Sequence, residues 1–252
     1  MDDWDAFFDE SYLRTYLPSL GEERTRGEAL GAVALTGVAP GAEILDCPTG
    51  FARHAMVLAE AGYRVTGLDR SETMLAEAER RRGDSDWPQL VRGDYRELPF
   101  PDASFDAVLN LFSSLGMLER DEDIGVLSEF RRVLRPGGAL ILETGHRDAI
   151  AHFSRANPFR AWSRLPDDAL FLQEIETDWV AGTSSALHMV VTPEGERIER
   201  RYFHRVYSVK EWAEMLCEAG FSDVQAFGDW DETTPATPDT WRLIVRARNG
   251  LK

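Results

Sequence analysis

Four segments of the chain set an acid or a glycine at the end of an apolar run, where open α/β sheets bind ligands. The first is Asp46-Cys47-Pro48-Thr49-Gly50-Phe51-Ala52-Arg53. Gly50 lets the backbone turn tightly and approach a ligand. Ala52 is small enough for a helix to pack closely, and that helix would offer free N–H groups to a carboxylate. A dinucleotide calls for G-x-G-x-x-G, and only one glycine of that pattern is present. Asp46 would repel a pyrophosphate and suits a ligand carrying an ammonium and a sulfonium. Taken alone, a glycine turn here is as often structural.

The second is Asp69, which closes Val65-Thr66-Gly67-Leu68 about 20 residues past the loop. An acid there accepts both hydroxyls of a ribose. Its plainer role is to cap a helix beginning near Ser71. The third is Asp94 in Arg92-Gly93-Asp94-Tyr95, able to accept from an exocyclic amine such as that of adenine. Read alone, it is a turn residue. The fourth is Asn110-Leu111-Phe112-Ser113-Ser114-Leu115-Gly116. Its apolar and small residues can form a floor beneath an adenosine and a wall toward an acceptor. They are equally ordinary core.

The elements that must hold these segments follow from periodicity. Trp4, Phe7, Phe8 and Tyr12, then Leu13, Tyr16 and Leu17, recur at helical spacing, so the first forty residues read as helical. Pro18 to Gly21 is a break, and a second helix runs from Glu22 to Leu35. The chain then alternates. Strands are expected at Glu43–Asp46, Tyr63–Asp69, Gln89–Gly93, Phe105–Leu111 and Ala139–Glu143. Helices are expected at Arg53–Gly62, from Ser71 to Arg82, and at Asp123–Leu134. This alternation implies an α/β fold, a mostly parallel sheet covered on both faces. After Thr144 the pattern changes. Leu170–Val180, Ala186–Val191 and Arg197–Tyr207 read as strands with no helix between them, an antiparallel cap inserted after the fifth strand. A helix at Val209–Ala219 and strands at Ser222–Phe227 and Trp241–Arg248 complete the sheet.

The 252 residues are 43% hydrophobic and 29% charged, enough for one substantial core. A formal net charge of -16 repels phosphate backbones and anionic lipid, so no nucleic acid and no membrane partner is expected. An acidic surface mainly confers solubility; attraction of a cationic or amine substrate is the weaker functional reading. Cys47 and Cys217 cannot form a disulfide framework and read as reduced. With no basic, apolar leader and no run of about 18 apolar residues, the expected location is cytoplasmic. No metal-ligand spacing is visible. A homodimer is compatible with these features, though no residue pattern specifies one.

Taken in order, these segments resemble the class I S-adenosylmethionine-dependent methyltransferases of small-molecule type. ILDCPTGFARHAMVLAEAGYRVTGLDRSETML is similar to the family's cofactor loop and second-strand acid. VRGDYRELPF followed by SFDAVLNLFSSLG is similar to its adenine-side acid and fourth strand, and VLRPGGALIL to its turn and fifth strand. The likeness covers about residues 40 to 145 and extends to YSVKEWAEMLCEAGF, which is similar to a late helix. It implies a Rossmann-like, doubly wound fold and S-adenosyl-L-methionine as cofactor, with S-adenosylhomocysteine as its product. By resemblance, residues 1–145 and 208–252 form the cofactor-binding domain, 1–40 a helical lid, and 146–207 a substrate cap. The resemblance sets Asp46, Gly50 and Ala52 beside the methionine part of the cofactor and Asp69 on the ribose. Arg70 and Met74 would flank the adenine, Asp94 and Tyr95 would meet its edge, and Leu111 would lie near the sulfonium. Tyr16 would fold over the cofactor on an N-terminal helix. Pro48 stands where the family carries glycine; it stiffens the loop and cannot donate an N–H. Arg24 and Arg53 could pair with the cofactor carboxylate, although a solvated salt bridge is the stronger expectation for each.

The implied activity is in-line methyl transfer to an N or O atom of a small molecule, driven by alignment and desolvation. A base is needed only if the acceptor arrives protonated. His146, after the fifth strand, is the first candidate. His204 and Tyr207 on the last cap strand point to opposite faces, and only one face can line the pocket. The arginines at 197, 200, 201 and 205 alternate with Glu196 and Glu199 and read as cross-strand pairs on a solvent face. Competing readings are a nicotinamide or flavin oxidoreductase, disfavoured by the missing glycines, and a cofactor-binding protein of this fold without turnover. Macromolecule methylation is disfavoured because no Asn-Pro-Pro-Tyr motif follows the fourth strand.

Overall fold

The computed structural model describes residues 7–153 and 157–250. Trp4, expected on the first helix, lies outside them. Helix α1 (Glu10–Tyr16) starts at Asp9, whose carboxylate accepts the N–H groups of Ser11 and Tyr12. A 3-10 turn at Leu17–Ser19 leads into α2 (Glu22–Thr36), which stops at Gly37 in the left-handed region. The alternating part is β1 (Glu43–Asp46), α3 (Arg53–Glu60), β2 (Arg64–Asp69), α4 (Glu72–Arg82), β3 (Gln89–Arg92), β4 (Phe105–Asn110), α5 (Arg120–Val133) and β5 (Leu134–Gly145). Ser71 caps α4 as expected, its Oγ accepting the Met74 N–H.

The large sheet has the order β3-β2-β1-β4-β5-β11-β10, with β10 at Ser222–Phe227 and β11 at Arg242–Arg248. β1 to β5 are parallel, and β11 runs antiparallel to both its neighbours. The strand order reverses between β1 and β4, which opens a crevice at their carboxyl ends. β1, β2 and β4 bury almost every residue, because helices cover both faces. One face packs Val126, Phe130, Trp212 and Leu216 against Leu140 and Leu142. The other packs Ala29, Ala32 and Leu58 against Ile44, Ile141 and Ile244. Trp212 and Leu216 come from α7 (Val209–Glu218), which a Ser208–Glu211 capping box starts.

The expected antiparallel cap is present and larger than expected. A short helix, α6 (Arg147–Phe153), precedes a four-stranded sheet in the order β6-β7-β8-β9. These strands are Phe159–Arg164, Leu170–Asp178, Thr183–Val191 and Arg197–Arg205. β6 was missed because its exposed edge residues show little hydrophobic alternation. Several boundaries also move: β8 begins at Thr183, and β9 ends at Arg205, so Tyr207 follows the last cap strand. α5 begins at Arg120 because Glu119 and Glu122 form a capping box, a role usually read from Ser, Thr, Asp or Asn. β5 begins at Leu134 because Leu134 already pairs with Phe105 before the Pro136-Gly137-Gly138 segment. Of the β9 arginines, Arg200 meets Asp9, Arg205 meets Glu119, and Arg197 meets Glu199 on its own strand. Both cysteines are free. Among the described residues, no helix is long and apolar enough to cross a membrane.

Candidate active site

The carboxyl ends of the central strands, α1 and one face of the cap enclose a cavity of about 740 Å³. Its floor comes from the β1–α3 loop. Gly50 has φ +57, and the space where its side chain would project is open. Ala52 also adopts a left-handed conformation, φ 57, as it turns the chain into α3. Asp69 ties this loop to the next helix: one oxygen accepts the Gly50 N–H at 2.8 Å and the other the Ser71 N–H at 2.9 Å. Burial raises the Asp69 carboxyl, against those N–H groups. Asp69 also accepts from the Arg70 backbone and lines the cavity.

Asp46 is buried and does not line the cavity. Its carboxylate accepts the Thr49 hydroxyl at 2.7 Å, and burial pushes it up to about 7. It therefore shapes the loop from below, as does Ala52, which is also absent from the wall. Pro48, Gly50, Asp69, Arg70, Met74, Asp94, Tyr95, Leu111 and Tyr16 all line the cavity. Asp94 sits between Arg96, at 2.6 Å, and Arg70, at 3.9 Å. Burial acts to raise its carboxyl, but the Arg96 hydrogen bond outweighs that and holds it below the usual range.

A buried ionic cluster stands beside the loop. Glu28 on α2 meets Arg53 at 2.6 Å, Arg24 at 2.8 Å, His54 at 3.1 Å and Arg242 at 3.2 Å. Burial acts to raise Glu28, but hydrogen bonds from His54, Arg24 and Arg53 hold it well below the carboxylate range. Burial lowers His54 to about 4 despite its bond to Glu28, so the imidazole is neutral. Arg53 was ranked as a solvated salt bridge, yet it is buried and lines the cavity. Its Nη1 serves Glu28 and Thr25, while its Nη2 has no hydrogen-bond partner.

The three base candidates separate. His146 is buried and is not part of the cavity wall. Its Nδ1 lies 3.4 Å from the Thr240 carbonyl, and its Nε2 makes no hydrogen bond. Tyr207 points away, donating to Asp123 at 2.9 Å and packing on Trp212. Its neighbours on the opposite face, His204 and Val206, do line the cavity. His204 Nε2 is 3.3 Å from the Ser113 carbonyl, and burial lowers its pKa.

Residue types alone did not single out Glu143. It is buried at the end of β5 and faces the cavity. Its Oε2 accepts the Phe112 N–H at 2.6 Å, its backbone carbonyl accepts the Ser113 N–H at 3.0 Å, and Arg242 Nε is 3.4 Å from its Oε1. These contacts hold Phe112 and Ser113 at φ 65 and φ 56, a strained pair for residues with side chains. The Phe112 ring lies edge-on to Tyr16 and beneath the Arg53 guanidinium. Above it, Phe7, just before α1, packs on His188 and Tyr202 of the cap, Tyr16 packs on His188, and Tyr12 joins Phe7, Phe8 and Tyr16 in the same aromatic cluster. Arg14–Asp167 and Arg200–Asp9 ion pairs fasten α1 to the cap, and Ser71 Oγ donates to the Phe8 carbonyl.

Residues 44–138 match the family model described as a methyltransferase domain. A demethylmenaquinone methyltransferase of Beutenbergia cavernae is 34% identical over 183 residues, spanning 68% of this chain and 72% of that protein. Among solved structures, the CcbJ methyltransferase of Streptomyces caelestis superposes with a TM-score of 0.84 at 22% identity, covering 99% of this chain and 100% of that one. SAM-bound CalS10, an amino pentose methyltransferase of Micromonospora echinaspora, superposes with a TM-score of 0.73 at 19% identity, covering 95% and 97%.

Proposed function

The chain belongs to the class I S-adenosylmethionine-dependent methyltransferases, and we propose that it methylates an N or O atom of a small molecule held between the parallel sheet and the cap. The carrying observation is the cavity of about 740 Å³ lined by both the parallel sheet's loops and the cap. That volume is on the scale of one nucleoside-sized ligand plus a compact second one. The proposed division is a cofactor-binding part, residues 1–145 and 208–252, and a substrate cap, residues 146–207.

S-adenosylmethionine would supply a methyl group on a sulfonium, already activated for displacement. The residues present fit it. Arg53 Nη2, buried and without a partner, suits the cofactor carboxylate, and the open backbone at Gly50 allows close approach. Asp69 would hold the ribose hydroxyls. Met74, Arg70, Asp94 and Tyr95 would enclose the adenine, and Leu111 and Tyr16 would border the sulfonium. The chain's own contribution is to align the acceptor and exclude water, for which α1 and the cap close the top. His204 lines the cavity and is the remaining base candidate of the three; burial keeps it neutral and makes it a weak base.

Calorimetric titration with S-adenosylhomocysteine tests this reading. Asp69→Ala is expected to weaken binding by about 1–3 kcal/mol, the scale of a charge-assisted hydrogen bond. Unchanged affinity would remove Asp69 from the ribose. Folded protein that gives no heat with S-adenosylhomocysteine but binds NADH would overturn the reading as a whole.

A further inference from the structure

Glu143 is the acid in the cavity wall that stands apart from the proposed cofactor side. Asp69 and Asp94 follow β2 and β3, whereas Glu143 ends β5, across β4 from β1. Neighbouring strands are about 4.8 Å apart, so β5 lies about 10 Å from β1, beyond the end of β4. Leu111, proposed to border the sulfonium, is the residue before Phe112, whose N–H Glu143 accepts. The carboxylate therefore sits one strand past the point of transfer, on the acceptor side.

Its neighbours leave it able to take another donor. Oε2 is held by the Phe112 N–H, Oε1 lies 3.4 Å from Arg242 Nε, and the charges of Glu28 and Arg53 also act on the carboxyl. Arg242 is shared with Glu28 and Asp229, so its charge is not committed to Glu143 alone. A carboxylate has about four lone-pair sites, and two remain. The same cavity is lined by the rings of Tyr12, Tyr16, Phe112 and Tyr202. Burial raises the phenols of Tyr12 and Tyr16 and lifts Tyr202 to about 12, so all three stay neutral and offer π faces, which attract cations.

We infer that Glu143 is the anionic contact for a basic amine on the methyl acceptor, which makes the substrate class an amine carried on an apolar or aromatic body. The inference rests on the proposed reading of the cavity as a methyltransferase site. An acceptor that enters as an ammonium gives one proton to Glu143, leaving a neutral amine and a neutral carboxylic acid. The nitrogen lone pair then forms the N–C bond, the C–S bond breaks, and its electron pair stays on sulfur as a neutral thioether. The methylated product leaves as an ammonium, and Glu143 returns its proton to solvent.

The test uses two defined ligands and needs no knowledge of the acceptor. S-adenosylhomocysteine has a neutral thioether at the transfer point. Sinefungin has an amine-bearing carbon there and the same amino-acid end. The wild-type protein is expected to bind sinefungin about tenfold more tightly, and Glu143→Gln to abolish that preference while S-adenosylhomocysteine affinity stays within about twofold. Glu143→Asp, which keeps the charge, should retain the preference. If Glu143→Gln weakens both ligands equally, Glu143 serves the cofactor's own ammonium or the loop, and the inference fails. It fails also if the preference survives in Glu143→Gln, is absent from the wild type, or is lost in Glu143→Asp. Wild-type protein that binds neither ligand would instead refute the cofactor reading beneath it.

Discussion

Strands β1, β2 and β4 bury nearly all their residues between helices, whereas β8 of the cap alternates between buried and more exposed positions and β7 buries only Phe171 and Thr177. The sheet has two extensive cores; the cap has a small one around Leu165, Ala169, Phe171 and Val190. The proposed cofactor side is thus held by packing of the large sheet and its helices. The proposed acceptor side is held by what touches it, chiefly α1 and the loop after β4. A fixed cofactor floor beneath a less deeply packed cap suits an enzyme that keeps one ligand constant while the other varies among relatives.

The comparison breaks most readily in the cores. Trp212→Ala is expected to cost about 3–5 kcal/mol in urea unfolding, because a fully buried indole leaves a cavity that the sheet cannot fill. Phe171→Ala should cost less, about 3 kcal/mol at the low end of that range, since its thinner surroundings can collapse. Equal losses would mean that sheet and cap are packed alike.

Acid and base should act on the two regions with opposite sign. Burial raises Asp46 to about 7, so the stability from its neutral form is present below about pH 4 and is lost as pH rises through 7. Asp46→Asn should flatten that fall in unfolding curves collected from pH 4 to 8. Burial lowers His188 to about 4, between α1 and the cap. Its contribution is present above about pH 6.5 and is lost as pH falls through 4. Hydrogen exchange on α1 should therefore quicken on acidification, and His188→Phe should remove that response. His54 titrates in the same direction from within the sheet domain, so the α1 amides, not global stability, are the readout.

The smallest effect is expected at the rim. Arg14 and Asp167 join α1 to the cap at an exposed rim, so Arg14→Ala should leave thermal unfolding nearly unchanged. A much larger loss would show that ion pairs, and not aromatic packing, hold α1 down.

The same contrast explains what was readable in the residues. The alternation of β1 to β5 with their helices, the loop at Gly50 and the acid Asp69 announced themselves because buried parallel strands and strand-end turns leave strong local patterns. The cap was read as three strands because β6 is an exposed edge. Among the site residues, histidine chemistry drew attention to His146, while Glu143, on the same strand end, faces the cavity. Which of the two does so depends on how β5 pairs with β11 and where Arg242 falls, a non-local fact. Likewise, alternation split His204 from Tyr207, but only the Asp123 partner on α5 decided their faces.

The left-handed pair Phe112–Ser113 bears on how such a site can change over generations. A side chain in that conformation costs about 1–2 kcal/mol, and β-branched residues tolerate it least. Most substitutions at these positions would disturb the loop along with the wall. The facing cap positions Gln173, Ala186 and Tyr202 lie on extended strands, where backbone geometry accepts nearly any residue. New acceptor preferences should therefore accumulate on the cap, leaving the loop after β4 as the inherited part of the pocket.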